Sequence, residues 1–123
     1  MASLPQPEFH DLYTSMRDQK WSAKEKDIAR EAFERALQRD LEAVIRQAKE
    51  MAGEIEQPSG LWELQRYLTQ RRQEIDRQYD YRYSVLPVVF ADLIQNGRLR
   101  EEDLHGLAEE KLEDIHRMAQ AMR

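Results

Sequence analysis

From Ile28 to Ile55 the apolar side chains keep to one stripe: Ile28, Ala29, Ala32, Phe33, Ala36, Leu37, Leu41, Val44, Ile45, Ala48, Met51, Ala52 and Ile55. Steps of three and four sustained over that distance place them on one side of a helix and are incompatible with a strand. From Leu37 onward the positions 37, 41, 44, 48, 51 and 55 alternate four and three, the spacing of a heptad seam. Ser22 followed three residues later by Glu25 opens the helix as a capping box, and Pro58-Ser59-Gly60 ends it. At 1.5 Å per residue the rod is about 50 Å long, more than the rest of the chain is expected to cover. Part of the seam is therefore expected to meet a second copy, with Leu37, Leu41, Val44, Ile45 and Ala48 at the interface. The competing reading is a hairpin with the next helix, which covers some of the stripe but not its whole length.

The remaining segments are also helical in pattern. Ser59 is placed to cap a second helix with its body from Leu61 to about Tyr81. Ser84-Val85-Leu86-Pro87 reads as a restart capped near Ser84, since proline is tolerated in a first turn. Asn96-Gly97 stops that helix. Glu101, Glu102 and Asp103 then place negative charge at the start of a last helix. Its stripe is Leu104, Leu107, Ala108, Leu112, Ile115, Met118 and Met122. No segment has strand periodicity. The expected fold is all-α: long amphipathic helices forming a dimer stem, about 21–82, and a small helical head, about 83–123. Residues 1–20 are expected to be a loosely held arm, in which Phe9, Leu12, Tyr13 and Met16 share one face of a short helix.

Composition narrows the function. The chain has 123 residues, enough for one domain. Charged residues make up 35% of it and aromatic ones 8%, so the core is thin and an added partner surface would help to stabilise it. Cysteine is absent, which excludes disulfides and thiolate metal sites and fits a reducing cytoplasm. No apolar run is long enough to span a bilayer, and the N-terminus lacks a basic-plus-apolar leader pattern, so neither membrane insertion nor secretion is expected. A net charge of -5 argues against nucleic acid as a partner.

Catalytic patterns are missing. Glu74 and Asp76, two apart on a helix, point in different directions. His10, His105 and His116 form no pair at helical spacing, although Asp103 and Glu109 stand near His105. There is no phosphate-binding glycine loop. A small hydrolytic or metal-dependent enzyme is the weakest of the functional readings. No catalytic residue, metal ligand or cofactor is assigned.

The densest chemistry lies from Leu61 to Phe90, where Trp62, Tyr67, Tyr79, Tyr81 and Tyr83 sit among Arg66, Arg71, Arg72, Arg77 and Arg82. On a continuous helix Tyr79, Tyr81 and Tyr83 cannot share a face, so at least one ring is expected at the surface. Those five arginines stand against three acids, Glu74, Asp76 and Asp80, a local balance of +2. Rigid rings beside guanidinium groups are the composition of a protein docking surface. The plainer reading is a small core closed by tyrosines, beside a solvated, salt-bridged helix face.

Trp21-Ser22 through Phe33, Arg39-Asp40-Leu41, Leu61-Trp62, Arg72, Glu74-Ile75-Asp76, Tyr79-Asp80, Arg82, Ser84-Val85, Phe90-Ala91 and Gly97 together resemble the fluorescence recovery protein family. The likeness runs without a gap over everything but the N-terminal arm. It implies an all-helical homodimer that binds the C-terminal domain of the orange carotenoid protein. Such binding speeds return of the light-activated red form to the orange form and ends phycobilisome quenching. It also implies that Trp62, Gln65, Arg66 and Arg72 form a partner-binding patch near the stem, and that Pro87, Val88 and Phe90 form a second contact region on the head. Leu41, Val44 and Ile45 fall on the family's dimer interface. Gln65-Arg66 stand where relatives carry His-Asp, a charge inversion, and Val88 stands where an aromatic ring is expected. A divergent member serving a different bacterial protein, as a helical adaptor, is therefore the alternative. The implied location is the cytoplasm, peripheral to the thylakoid and phycobilisome if the source is cyanobacterial.

Overall fold

The computed structural model describes residues 19–122, so the N-terminal arm lies outside the described residues apart from its last two positions. Among the described residues, four α-helices follow in order: α1 Ala23–Gly53, α2 Pro58–Gln78, α3 Leu86–Gln95 and α4 Glu109–Ala121, with a 3-10 turn at Glu101–Leu104. No strand occurs among the described residues. The all-α expectation holds.

α1 starts as its sequence dictates. Ser22 accepts from the Glu25 amide at 3.1 Å, and Glu25 returns the bond by accepting from the Ser22 amide at 3.1 Å. Three other boundaries differ. α2 starts at Pro58 with Gln57 as its cap residue and no side-chain cap, so Ser59 lies inside the first turn. α3 starts at Leu86 after Val85, again uncapped by a side chain, with Pro87 in its first turn. The stretch Glu101 to Met122 is not one helix. It breaks at His105–Ala108, where Gly106 takes a φ of 108° that an L side chain resists. Gly97 ends α3 with a φ of 77°.

The tyrosines require a correction. α2 ends at Gln78, and the chain from Tyr79 to Tyr81 runs on without helix. In extended backbone, residues two apart point the same way. Tyr79, Tyr81 and Tyr83 accordingly all pack against the core, while Asp80 and Arg82 pair with each other on the outside, at 2.6 Å. Phe33 receives the edges of Tyr79 and Tyr81 at ring separations of 5.4 and 4.8 Å. Tyr83 bridges Tyr81 and Trp21, both at 5.5 Å.

The stripe on α1 has two fates. Its first half supplies Ala29, Ala32, Phe33 and Ala36 to the same core as Leu86, Phe90, Leu93, Leu104, Ile115 and Met118 of the head. Small residues on α1 let the helices approach closely while the larger head residues fill the space. The second half lies beyond that core, and α2 folds back along it. α2 buries no residue at all.

A candidate protein-interaction surface

The hairpin of α1's second half and α2 forms a stem whose apolar side chains are left bare. Leu41 is 40% exposed, Ile45 51%, Leu61 52%, Trp62 58% and Leu68 41%. Isolated exposed leucines are ordinary, but large apolar groups concentrated on one hairpin mark an interaction surface. Among the interface residues expected from the heptad seam, Leu41 and Ile45 are exposed while Leu37, Val44 and Ala48 are half-buried. Trp62, Gln65, Arg66 and Arg72 are all exposed on α2. Arg66 and Arg72 make no ion pair among the described residues, so both guanidinium groups are available.

On the head, the three residues named by the resemblance differ in exposure. Pro87 and Phe90 are completely buried. Pro87 and Phe90, three apart on α3, share the face of that helix that packs into the core. Both are enclosed by the head. Val88 is half-buried, packed against the core, and is the one residue of the three with accessible surface.

Two polar clusters bring together residues that the sequence reading left unconnected. Asp40 is 2% exposed. Its Oδ1 accepts from Arg71 at 2.5 Å and from Arg98 at 3.1 Å, and its Oδ2 lies 3.0 Å from the Tyr79 hydroxyl. Tyr79 shares its proton with the Ala36 carbonyl, 3.1 Å away. Burial and the adjoining Asp40 charge together push the Tyr79 hydroxyl well above its usual range, so it stays a donor.

The second cluster surrounds Glu25, which accepts from Lys111 at 3.2 Å and from the Ala108 amide at 2.9 Å in addition to Ser22. Lys111 also donates to the Lys20 carbonyl at 2.7 Å and sits 5.0 Å from the centre of the Trp21 ring. Burial pushes the Glu25 carboxyl upward. The two amides and the Lys111 ammonium outweigh it and leave the carboxyl below its ordinary value. These pairs join residues 31, 58 and 86 apart in sequence. Only Glu25 carried a local signal, its place in the capping box.

Among the described residues, no group of three or more His, Asp or Glu side chains is arranged to hold a metal ion, and no helix is long and apolar enough to cross a membrane. What the fold and its bare stem define is an all-helical protein whose chemistry is spread over a surface. Comparison with known proteins gives the family. Residues 21–119 match the pattern of the photoprotection regulator fluorescence recovery protein. The fluorescence recovery protein of Synechocystis sp. PCC 6803 is 37% identical over 99 residues, 80% of this chain and 91% of that protein. The structure of the Fremyella diplosiphon fluorescence recovery protein is similar at 39% identity with a TM-score of 0.79, covering 82% of this chain and 99% of that one. The Synechocystis structure superposes equally well, with a TM-score of 0.79 at 37% identity. The chain belongs to the fluorescence recovery protein family, a family of photoprotection regulators.

Proposed function

We propose that this protein is a non-enzymatic regulator that works as a homodimer in the cytoplasm. It binds the C-terminal domain of the orange carotenoid protein, speeds conversion of the red form to the orange form, and so ends phycobilisome quenching. The observation that carries this reading is α2, a helix that buries no residue and yet displays Leu61, Trp62 and Leu68 beside Arg66 and Arg72. A helix that leaves these apolar side chains exposed gains their burial from a partner, and aromatic and arginine side chains are the commonest anchors of such contacts. The seam through Leu37, Leu41, Val44, Ile45 and Ala48 serves the second copy. Trp62, Gln65, Arg66, Arg72 and the exposed part of Val88 serve the carotenoid protein. Regulation of this kind needs no bond chemistry, only contacts that differ between the red form, the orange form and the barrier between them.

The test is the dark reversion of photoconverted orange carotenoid protein, followed by absorbance with and without this protein. Concentration-dependent acceleration is expected, and no acceleration at saturation rejects the reading. A second reading, a helical adaptor for another bacterial protein, is favoured by Arg66, a cation where the family patch carries an acid. Capture of a different protein from the source organism, whose genome lacks a carotenoid-protein gene, would replace the first reading with the second.

A further inference from the structure

The apolar core of the head reaches Ala36 on α1 and goes no further: among the described residues, no side chain from Leu41 to Gln78 belongs to it. At that limit the joint between stem and head is made of charge. Asp40, one turn past Ala36, gathers three donors from three parts of the chain. Arg71 comes from α2, Tyr79 from the link after it, and Arg98 from the turn after α3. An open polar cleft, lined by Asp40, Arg71 and Arg98 among others, lies along the same joint. Apolar contact is non-directional and tolerates sliding. Charge-assisted hydrogen bonds to a buried carboxylate fix direction, because a donor withdrawn leaves the acceptor unsatisfied.

We propose that Asp40 is a latch that holds the C-terminal end of α2 and the Tyr79 link at one position against the head. When a guanidinium is drawn off Asp40, α2 is free to take a second position. α1 is continuous through the joint, so the moving part is α2 with the non-helical link from Tyr79. Electrostatic ties of this kind favour two discrete arrangements over a continuum. On the docking reading above, a partner carboxylate that enters the cleft beside Asp40 competes with it for Arg71 or Arg98. The latch itself does not depend on that reading.

The test uses the protein alone. The chain has no cysteine, so Gln73→Cys on α2 and Glu110→Cys on the head can carry a pair of spin labels. The labelled chain is diluted in unlabelled chain, so that the distance is read within one protomer. Wild-type protein is expected to give one narrow distance distribution. Asp40→Asn and Arg98→Met are expected to add a displaced population at unchanged helicity by circular dichroism, while Arg66→Met leaves the distribution as it was. If Asp40→Asn fails to fold, Arg98→Met, which removes a single tie, carries the comparison. One narrow distance in every variant that keeps wild-type helicity overturns the proposal, as does equal broadening in Arg66→Met.

Discussion

Trp62 is the largest apolar side chain left in the open, on a helix that contributes nothing to the core. Trp62→Ala is expected to change folding stability by no more than about 0.5 kcal/mol, the range of surface substitutions. Its effect should appear in partner binding, weakened by about 2 kcal/mol or roughly thirtyfold if the ring is an anchor. Titration of orange carotenoid protein, with circular dichroism as the control for folding, separates the two effects. Lys111 is the opposite case, buried against Glu25 with little water to replace it. Lys111→Met leaves that carboxylate without its cation and is expected to lower stability by about 3–5 kcal/mol in denaturant melts. Acid should act on the same group. Burial raises the Glu25 and Asp103 carboxyls, but their hydrogen bonds and neighbouring cations leave both below the ordinary values of 4.5 and 3.8. A carboxyl depressed by folding contributes stability in full above its unfolded value and loses it as pH falls through the folded one. Thermal melts should therefore be flat near neutrality and drop below about pH 4, and Glu25→Gln should remove part of that drop.

At the scale of elements, the two positive-φ glycines test how the head is built. Gly97, at 77°, has open space where a Cβ would go, so Gly97→Ala should cost roughly 1 kcal/mol, the ordinary penalty of left-handed backbone. Gly106, at 108°, lies further from any conformation an L residue accepts, and an added Cβ would stand 2.5 Å from Ile28 Cδ1. Ile28 can swing its methyl aside, but the backbone has no such escape. Gly106→Ala should therefore shift the denaturation midpoint more than Gly97→Ala, by roughly 2 kcal/mol or above. Local rules were legible in the sequence wherever cause and effect lay within a turn of each other. Ser22 and Glu25 specify the start of α1 because both halves of the box are three residues apart. The Tyr-Asp-Tyr-Arg-Tyr alternation of residues 79–83 held a local signal that a helical reading misses. It has a period of two, which belongs to extended chain, and a helical frame assigned to it sends one ring to the surface. Asp40 and its arginines were not legible, because nothing local distinguishes a buried acid from the many solvated ones on the same helix. The burial of Phe90 and Pro87 was not legible either: the resemblance that names them as contact positions says nothing of how far each side chain is covered by its own head.

For the whole molecule, the governing feature is the double duty of α1, with one half inside the head and the other bare along the stem. Ile45→Glu tests the bare half. With Ile45 51% exposed in the single chain, a glutamate there is tolerated by the fold, whereas in a seam between two copies it buries an unpaired charge at a cost of several kcal/mol. Light scattering is expected to show the wild-type chain as a dimer and Ile45→Glu as a folded monomer. A dimer that survives the substitution would move the interface elsewhere. A further consequence follows from the emptiness of α2's interior account. Outward residues such as Trp62, Gln65 and Arg66 are under no packing constraint, so mutation can rewrite them at little risk to folding. Lineages of such a chain are free to trade one binding target for another by surface drift alone, with the head inherited intact.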